Sequence, residues 1–267
     1  MLKVNERPLS YTPGILLRDV ARELKPDADL FIVNGAPAAA DYPLADGDSC
    51  WLIKRGEIPE AQEMERLLYA RHTPGVQVRI KTAAVGIMGL GGLGSAVAVA
   101  LARMGVGRLL LADYDVVEPT NLNRQQYFID QIGTPKTEAL KTNLARINPY
   151  VSVETWGEKL TEDLIAQVFA RVDVLTECFD DPEMKAVALR TALTRLQGKG
   201  YVGASGVAGC GYNGAIVTRR LYPGVYVVGD GETAAKPGQG LMAPRVGIAA
   251  HQQANQVLRI LLYGKEA

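Results

Sequence analysis

Gly89, Gly91 and Gly94 stand at the spacing G-x-G-x-x-G within Val85-Gly86-Ile87-Met88-Gly89-Leu90-Gly91-Gly92-Leu93-Gly94-Ser95. That spacing serves a tight turn, a close approach of backbone to phosphate, and tight packing of the following helix on the preceding strand. The free N–H groups at the start of that helix then point at an anion. Asp113 ends the next apolar run, Arg108-Leu109-Leu110-Leu111-Ala112-Asp113. Its distance from the glycines is that of a carboxylate accepting from ribose hydroxyls. The glycines suit a nucleotide without saying which one, and a glycine-rich structural turn would carry the same letters.

A second set of residues narrows the chemistry. Phosphoryl and nucleotidyl transfer depend mostly on positioning and on cations placed where negative charge develops. Arg124 follows the second strand-like run, Lys136 opens a helix-like run, and Asp180 falls at the carboxyl end of a later strand-like run. In an open α/β sheet, such carboxyl ends share one crevice. Asn121, Arg124 and Gln125 are candidates for phosphate and sugar oxygens, and Lys136 for neutralising an α-phosphate as its charge builds. Asp180 is the candidate for Mg²⁺, which takes one or two carboxylates alongside substrate phosphates.

The elements that must position these residues alternate between strand and helix. Strand-like runs at Val151-Ser152-Val153-Glu154, Val172-Asp173-Val174-Leu175-Thr176 and Tyr201-Val202-Gly203-Ala204 are separated by helical patterns over 162–170 and 183–197. This alternation predicts an α/β fold for residues 83–267, a doubly wound, mostly parallel, Rossmann-like sheet. Further strands around 214–219 and 226–228 suggest an antiparallel extension, and an amphipathic helix over 245–262 closes the chain.

Residues 1–57 read as a small unit of their own. The runs Leu2-Lys3-Val4-Asn5 and Arg7-Pro8-Leu9 predict a hairpin turning near Asn5-Glu6, and apolar spacing over 15–24 predicts a helix. Strand-like runs follow at Leu30-Phe31-Ile32-Val33, Tyr42-Pro43-Leu44 and Ser49-Cys50-Trp51-Leu52-Ile53. Residues 58–82 form a helical arm starting near Ile58-Pro59-Glu60-Ala61 and stopping before Thr73-Pro74-Gly75, since proline disfavours helix in the residue before it. Arg66, Arg71 and His72 fall on this arm, where a solvated basic face would explain them.

Composition sets limits on function. Across 267 residues, Lys+Arg and Asp+Glu are equal at 29 each, so no bulk field draws nucleic acid or an anionic membrane. No run approaches the ~20 apolar residues of a membrane span, and the N-terminus lacks the apolar core of a signal peptide. Cys50, Cys178 and Cys210 make neither a C-x-x-C pair nor a disulfide framework, which points to a reducing cytoplasm.

Taken in order, Gly89-Leu90-Gly91-Gly92-Leu93-Gly94, Asp113-x-Asp115-x-Val117, Asn121-Leu122-Asn123-Arg124-Gln125, Gly133-x-x-Lys136 and Cys178-x-Asp180 resemble the motifs of the ThiF/MoeB/HesA family. These are prokaryotic relatives of ubiquitin-activating enzymes. Met242-Ala243-Pro244-Arg245-Val246-Gly247 is similar to that family's Met-Ala-Pro stretch. The resemblance covers about residues 65–262. It implies an adenylyltransferase that uses Mg-ATP to activate the C-terminal glycine carboxylate of a ubiquitin-like sulfur carrier, releasing pyrophosphate. On that resemblance Gly89, Gly91, Gly92, Gly94, Asp113, Asp115, Asn121, Arg124, Gln125 and Lys136 hold the nucleotide. Asp180 holds the metal, and Asp113 binds the ribose. Tyr69-Ala70-Arg71 matches part of the family's Arg-Tyr-x-Arg segment, which supplies an arginine to the other protomer's active site. The resemblance therefore implies a homodimer with Arg71, or alternatively Arg66, acting in trans. A planar guanidinium suits a polyphosphate better than an ammonium.

The N-terminal unit resembles the ubiquitin-like β-grasp fold of the sulfur carriers ThiS and MoaD. Those carriers end in a free Gly-Gly, whereas here Lys54-Arg55-Gly56-Glu57 continues into the arm. An internal peptide bond has no carboxylate to adenylate, so this copy reads as a retained docking or shielding module. Many family members carry two zinc-binding C-x-x-C pairs, and this chain has none, so no zinc is expected. Without the zinc pairs and the loop cysteine, the chain resembles most the short ThiF type of thiamine biosynthesis. The family's loop cysteine has no clear match: Cys210 is the one loop candidate, with a small buried or half-buried residue the plainer reading. Cys178 reads as packing, and His72 and His251 as ordinary residues. Two rivals remain at this point. The glycine motif alone would favour an NAD(P)-dependent oxidoreductase, which has no need of the Arg124 and Lys136 cluster. A non-catalytic dimer blocked by its own ubiquitin-like unit is the other.

Overall fold

The computed structural model describes residues 1–59 and 61–266. The chain divides into two compact units, Met1–Val78 and Arg79–Ala267.

In the first unit, β1 (Leu2–Val4), β2 (Arg7–Leu9), α1 (Leu17–Leu24), β3 (Leu30–Val33), β4 (Ala36–Pro37) and β5 (Ser49–Ile53) precede the arm helix α2 (Ala61–Leu68). The sheet runs β2-β1-β5-β3-β4, with β1 parallel to β5 and the other pairs antiparallel. Both hairpins turn on two residues at positive φ, Asn5-Glu6 and Asn34-Gly35. Asn-Gly is the favoured pair for that geometry. Leu2, Val4, Leu17, Val20, Cys50 and Leu52 form the core between α1 and one face of the sheet. Tyr42-Pro43-Leu44, expected as a strand, makes only an isolated bridge from Pro43 to Leu16, and Ala36–Pro37 takes the strand position instead. Proline cannot donate to a ladder, which limits both segments to short edge contacts. The helix expected over 15–24 begins at Leu17, with Asp19 reaching back to cap the Leu16 N–H. The expected start of the arm helix at 58–61 includes Glu60, which lies outside the described residues.

A short helix, α3 (Val76–Ile80), carries the boundary between the units. The second unit then runs β6 (Ala84–Met88), α4 (Gly92–Arg103), β7 (Arg108–Ala112), α5 (Lys136–Ile147), β8 (Ser152–Trp156), α6 (Glu162–Val168), β9 (Val174–Glu177), α7 (Pro182–Thr194), β10 (Gly200–Ala204), β11 (Val217–Tyr222), β12 (Val225–Gly229) and α8 (Ala243–Tyr263). Its seven-stranded sheet has the order β11-β12-β10-β9-β6-β7-β8. All pairs are parallel except β11 with β12. The expected antiparallel extension is thus one strand, since β12 lies parallel to β10.

Central strands of such a sheet are covered on both faces and read as continuous apolar runs. Every residue of β6, β9 and β10 is buried. Phe169 sits on Gly86 of β6 so closely that any side chain there would collide with its ring. Truncating this fully buried ring should cost ~3–5 kcal/mol. Helix starts follow local chemistry. Asp181 accepts from the Glu183 N–H at 3.0 Å and Pro182 fills the first helical position, so α7 begins one residue before the expected Glu183. It ends at Thr194 rather than 197. The last helix begins two residues earlier than expected, again with proline in its first turn.

Winding proceeds outward from β6 in both directions, to β7 and β8 on one side and to β9, β10 and β12 on the other. The reversal lies between β6 and β9. A crevice at the carboxyl ends of the strands is expected at that point.

Candidate active site

That crevice is a cleft of about 910 Å³, within the range of small-molecule sites. It is lined by Gly89, Gly91 and Gly92 after β6, Asp113 and Asp115 after β7, and Asn121, Arg124, Gln125 and Lys136 beyond. Asp180, after β9, completes the expected residues on its wall.

Gly89 and Gly94 are required for different reasons, and Gly91 stands in open space. Gly89 has φ 85°, and a Cβ there would lie 2.9 Å from the Cys178 carbonyl oxygen. A Cβ on Gly94 would collide with the Gly89 carbonyl, so Gly94 permits the helix to pack on the strand and does not itself line the cleft. Gly91 caps α4, and a Cβ there would meet nothing nearer than Gln125 Nε2 at 3.9 Å. The turn is therefore packed beneath Gly89 and Gly94 and open at Gly91, where the N-terminus of α4 faces the cleft.

Two residues that the sequence reading missed hold the turn in place. Ser95 donates to the Gly91 carbonyl at 2.6 Å and accepts from the Gln126 N–H at 3.1 Å, tying the turn to the 121–127 loop. Buried Tyr127 donates from its hydroxyl to the Leu90 carbonyl at 2.8 Å. Burial, and then the nearby Asp113 and Asp115, push its phenol above the ordinary range, so it stays a donor. The signal for both was weak: a serine and a tyrosine beside motif residues.

Asp113 accepts from the Leu90 N–H at 2.6 Å and the Asp115 N–H at 2.8 Å. Burial raises its pKa, and Lys136 and these two N–H groups oppose that rise. Each oxygen keeps a lone pair for a sugar hydroxyl. Lys136, 6% exposed at the first position of α5, donates to Asp115 Oδ2 at 2.8 Å and lies 4.0 Å from Asp113 Oδ2. Arg124 Nη1 donates to the Thr120 carbonyl and to Asn123 Oδ1, and among the described residues it has no carboxylate partner. Its buried Nε, like the buried Gln125 Oε1, has no hydrogen-bond partner among the described residues. Orphaned donors and acceptors of this kind cost free energy unless a ligand completes them. Asn121 Oδ1 caps the Glu118 N–H at 3.1 Å. An open helix N-terminus, two cations and two incomplete polar groups around one cleft fit a polyphosphate. An exposed carboxylate at Asp180 fits a divalent cation carried by it. Among the described residues no three His, Cys, Asp or Glu side chains gather as a metal site.

Two ion pairs that were not anticipated lie among the later elements, and of their four residues Lys185 lines the cleft. Glu177, 2% exposed at the end of β9, accepts from Lys185 Nζ at 2.9 Å and from the Phe179 N–H at 2.7 Å. Lys185 also donates to the Ala204 carbonyl at 2.9 Å, so one ammonium joins β9, α7 and β10. Asp230 pairs with buried Arg245 at 2.6 Å, and Arg245 donates further to the Gly211 carbonyl. Desolvation raises the Asp230 pKa, but N–H groups of Thr233 and Glu232, the Thr233 hydroxyl and Arg245 outweigh it and hold the group at about 2. Arg245 lies within the Met-Ala-Pro stretch, the one sequence signal for this pair.

Cys178 is buried and donates to Gln253 Oε1 at 3.7 Å; burial pushes its thiol up, so it is an inert packing residue. Cys210, expected as buried or half-buried, is exposed, because the 209–212 loop lies on the surface. His251 contacts the Gly247 carbonyl within its own helix, and Arg220 pairs with Glu266. Arg71 is exposed in the first unit and is not among the described residues lining the cleft.

With this geometry in hand, known proteins give the context. The ThiF family pattern matches residues 65–267 and a ThiS-like ubiquitin pattern matches residues 1–56. The chain is 31% identical over 212 residues to molybdopterin-synthase adenylyltransferase of Escherichia coli (strain K12), covering 72% of this chain and 78% of that protein. It is 39% identical over 110 residues to the Haemophilus influenzae protein of the same name, covering 41% and 45%. It is 30% identical over 220 residues to the adenylyltransferase and sulfurtransferase UBA4 of Eremothecium gossypii, covering 77% and 49%. The E. coli protein apart, the chain spans about a third to a half of the length of the curated relatives it matches. Among solved structures, E. coli tRNA N6-threonylcarbamoyladenosine dehydratase TcdA in complex with ATP superposes with a TM-score of 0.68 at 23% identity, covering 77% of this chain and 97% of that one. E. coli MccB with ATP superposes with a TM-score of 0.58 at 24% identity, covering 79% and 73%. At these identities the structural likeness is one of fold. No helix among the described residues is long and apolar enough to cross a membrane. The glycine turn, the cations beyond it and the span of the family match agree: the chain belongs to the ThiF family and carries a ThiS-like ubiquitin unit ahead of that domain.

Proposed function

We propose that this chain is an ATP-dependent adenylyltransferase acting on the C-terminal glycine carboxylate of a separate ubiquitin-like sulfur carrier. The observation that carries the reading is the pairing of Lys136 and Arg124 around the open turn at Gly91. Lys136 is held by a half-exposed carboxylate, and Arg124 has no carboxylate partner among the described residues. A hydride-transfer enzyme has no use for two such cations, which disfavours the oxidoreductase reading. The relatives named molybdopterin-synthase adenylyltransferase and the ATP complexes of TcdA and MccB support it from outside the chain.

In this reading a carrier carboxylate oxygen attacks the α-phosphorus of ATP. The bond from that phosphorus to the α,β-bridging oxygen breaks, and pyrophosphate leaves with the electron pair. Gly89, Gly91, Gly92 and Gly94 shape the nucleotide turn, and Asp113 accepts from the ribose. Asn121, Arg124 and Gln125 contact the triphosphate. Lys136 turns from Asp115 to the α-phosphate, where charge builds in the transition state. Asp180 holds the Mg²⁺ that accompanies the triphosphate. Arg71 acts on the site of the partner subunit in a homodimer. The fused unit lacks a free carboxylate, so the carrier is a second protein ending in Gly-Gly, with a ThiS-like carrier of thiamine biosynthesis the first to test. A cytoplasmic setting without zinc fits the three unpaired cysteines.

The experiment is ATP–pyrophosphate exchange with Mg²⁺ and a panel of carriers ending in Gly-Gly. Exchange should need both metal and carrier, and should be lost in Lys136→Ala and Asp180→Ala. Exchange retained in both variants would overturn the assignment of these residues. A chain that binds ATP but activates none of the carriers would favour a self-blocked, non-catalytic dimer.

A further inference from the structure

The sheet of the N-terminal unit has two apolar faces. One is filled by α1. On the other, Ile32, Trp51 and Ile53 of β3 and β5 are packed against Leu67 and Ala70 of the arm. Trp51 and Ala70 are 5% and 2% exposed, so the contact is closed. Without the arm these side chains would face solvent; here the chain's own arm covers them.

The arm is held at three points along its length. Near its start, Glu63 accepts from Asn5 Nδ2 at 3.3 Å and lies 3.7 Å from Lys25 Nζ, which also pairs with Glu57 at 2.7 Å. In the middle, Leu67 and Ala70 fill the apolar face. At its end the arm backbone lies directly on the β3–β4 turn. A Cβ on Gly35 would come within 2.8 Å of the His72 carbonyl oxygen and 3.4 Å of that of Arg71. Gly35 is thus required twice, for its φ of 84° and for this close approach. The Tyr69 and His72 rings meet at 5.3 Å, tilted by 41°, one on each side of Arg71.

We infer that the ubiquitin-like unit is a clamp for the arm, fixing the backbone around Arg71 in one conformation, and that the arm permanently occupies its β3/β5 face. The inference rests on the role given to Arg71 under Proposed function. A long exposed arginine loses rotamer and backbone entropy when it engages a phosphate. Fixing its backbone beforehand removes part of that cost at the moment of reaction. The fused unit would then be neither a substrate nor a plug. Ala70, Gly35 and Trp51 become positioning residues for Arg71.

The test uses the full chain and two variants that attack the contact from opposite sides. Ala70→Asp places a carboxylate against Trp51 and Ile32; Gly35→Ala drives a methyl group into the His72 carbonyl. Amide hydrogen exchange should rise at residues 67–72 in both, while β1, α1 and the buried side of β5 keep their protection. If Ala70→Asp unfolds the whole unit, protection at β1 falls too, and Gly35→Ala decides. In pyrophosphate exchange, each variant should lose activity as Arg71→Ala does, on the order of 100-fold in kcat with the KM for ATP unchanged. Adding Arg71→Ala to either should cost nothing further, and Ala70→Ser should retain activity. Unchanged protection at 67–72 in both variants, or losses that multiply with Arg71→Ala, would overturn the clamp. A wild-type chain without exchange on any carrier would overturn the adenylation reading instead, and amide exchange would still decide whether the arm is clamped.

Discussion

Lys136 and Lys185 line the same cleft, and each lies close to a carboxylate oxygen, at 2.8 and 2.9 Å. Their partners differ. Asp115, the partner of Lys136, has a side chain 50% exposed, whereas Glu177, the partner of Lys185, is 3% exposed. Water reaches Asp115 though not Lys136, so a phosphate can take the place of Asp115 at little cost. In the second pair Glu177 is shielded from water, and Lys185, itself 27% exposed, is committed as well to the Ala204 carbonyl. Moving Lys185 would leave Glu177 buried without its counter-charge, which is costly. A cation's use is therefore read from the burial of its partner more than from its distance to it. On the proposed function Lys136 is the lysine free to serve chemistry, and Lys185 is the one that joins β9, α7 and β10.

The largest expected effect tests the first half of that contrast. Lys136→Ala and Asp180→Ala should each reduce pyrophosphate exchange about 1000-fold, about 4 kcal/mol of transition-state stabilisation, measured in initial rates. Asp180→Ala should leave the urea midpoint unchanged, since Asp180 is exposed, and Lys136→Ala should shift it less than Lys185→Ala does, since Asp115 is half exposed. Loss of activity with an equally large loss of stability would make Lys136 a second structural lysine. Next in size, Lys185→Ala should destabilise the chain by about 3 kcal/mol, the lower end for breaking a buried pair, because Lys185 keeps some exposure. Replacing both partners at once, as Glu177→Gln with Lys185→Met, should recover part of that loss in urea denaturation. Recovery is expected because no lone charge stays buried.

This contrast could not be read from the sequence. The glycine spacing, Asp113 and the alternation of strands and helices all follow short-range rules, and the doubly wound sheet was legible from them. Lys136 and Asp180 were legible as types at the ends of elements. Glu177 and Lys185, eight residues apart, look like an ordinary helix charge and a strand-end acid until β10 brings the Ala204 carbonyl beside them. Tyr127 was invisible for the same reason, since its partner at Leu90 belongs to another element. In the first unit the hairpin at Asn5-Glu6 was legible, and Tyr42-Pro43-Leu44 misled because its apolar pattern survives in a segment that only bridges Leu16. The packing of Leu67 and Ala70 on Trp51 had no signal, because an apolar helix side does not name the sheet it meets.

Asp230 supplies a smaller effect with a clear pH signature. Its folded pKa of about 2 lies below the ordinary 3.8, so its contribution to stability is fully present above about pH 4 and is lost as pH falls toward 2. Asp230→Asn should be less stable than the wild type at neutral pH, and the gap should close between pH 4 and pH 2 in urea titrations. A gap that stayed constant across that range would mean that Arg245 and the Thr233 and Glu232 N–H groups do not favour the charged form.

The smallest expected effect is the sharpest check on the comparison. Asp115→Asn should change folding stability by only about 0–1 kcal/mol, because a half-exposed ion pair contributes little net free energy. The backbone bond from the Lys136 N–H to the Asp115 carbonyl, 2.9 Å long, stays in place and keeps α5 in register. Lys136 would then keep only Asp113, 4.0 Å away, and ATP should bind at least as tightly as in the wild type when followed by calorimetry. A loss near 3 kcal/mol would put the Lys136–Asp115 pair in the same class as Lys185–Glu177. Lys136 would then be held too firmly to turn toward a phosphate, and the division of the two lysines into chemistry and architecture would fail.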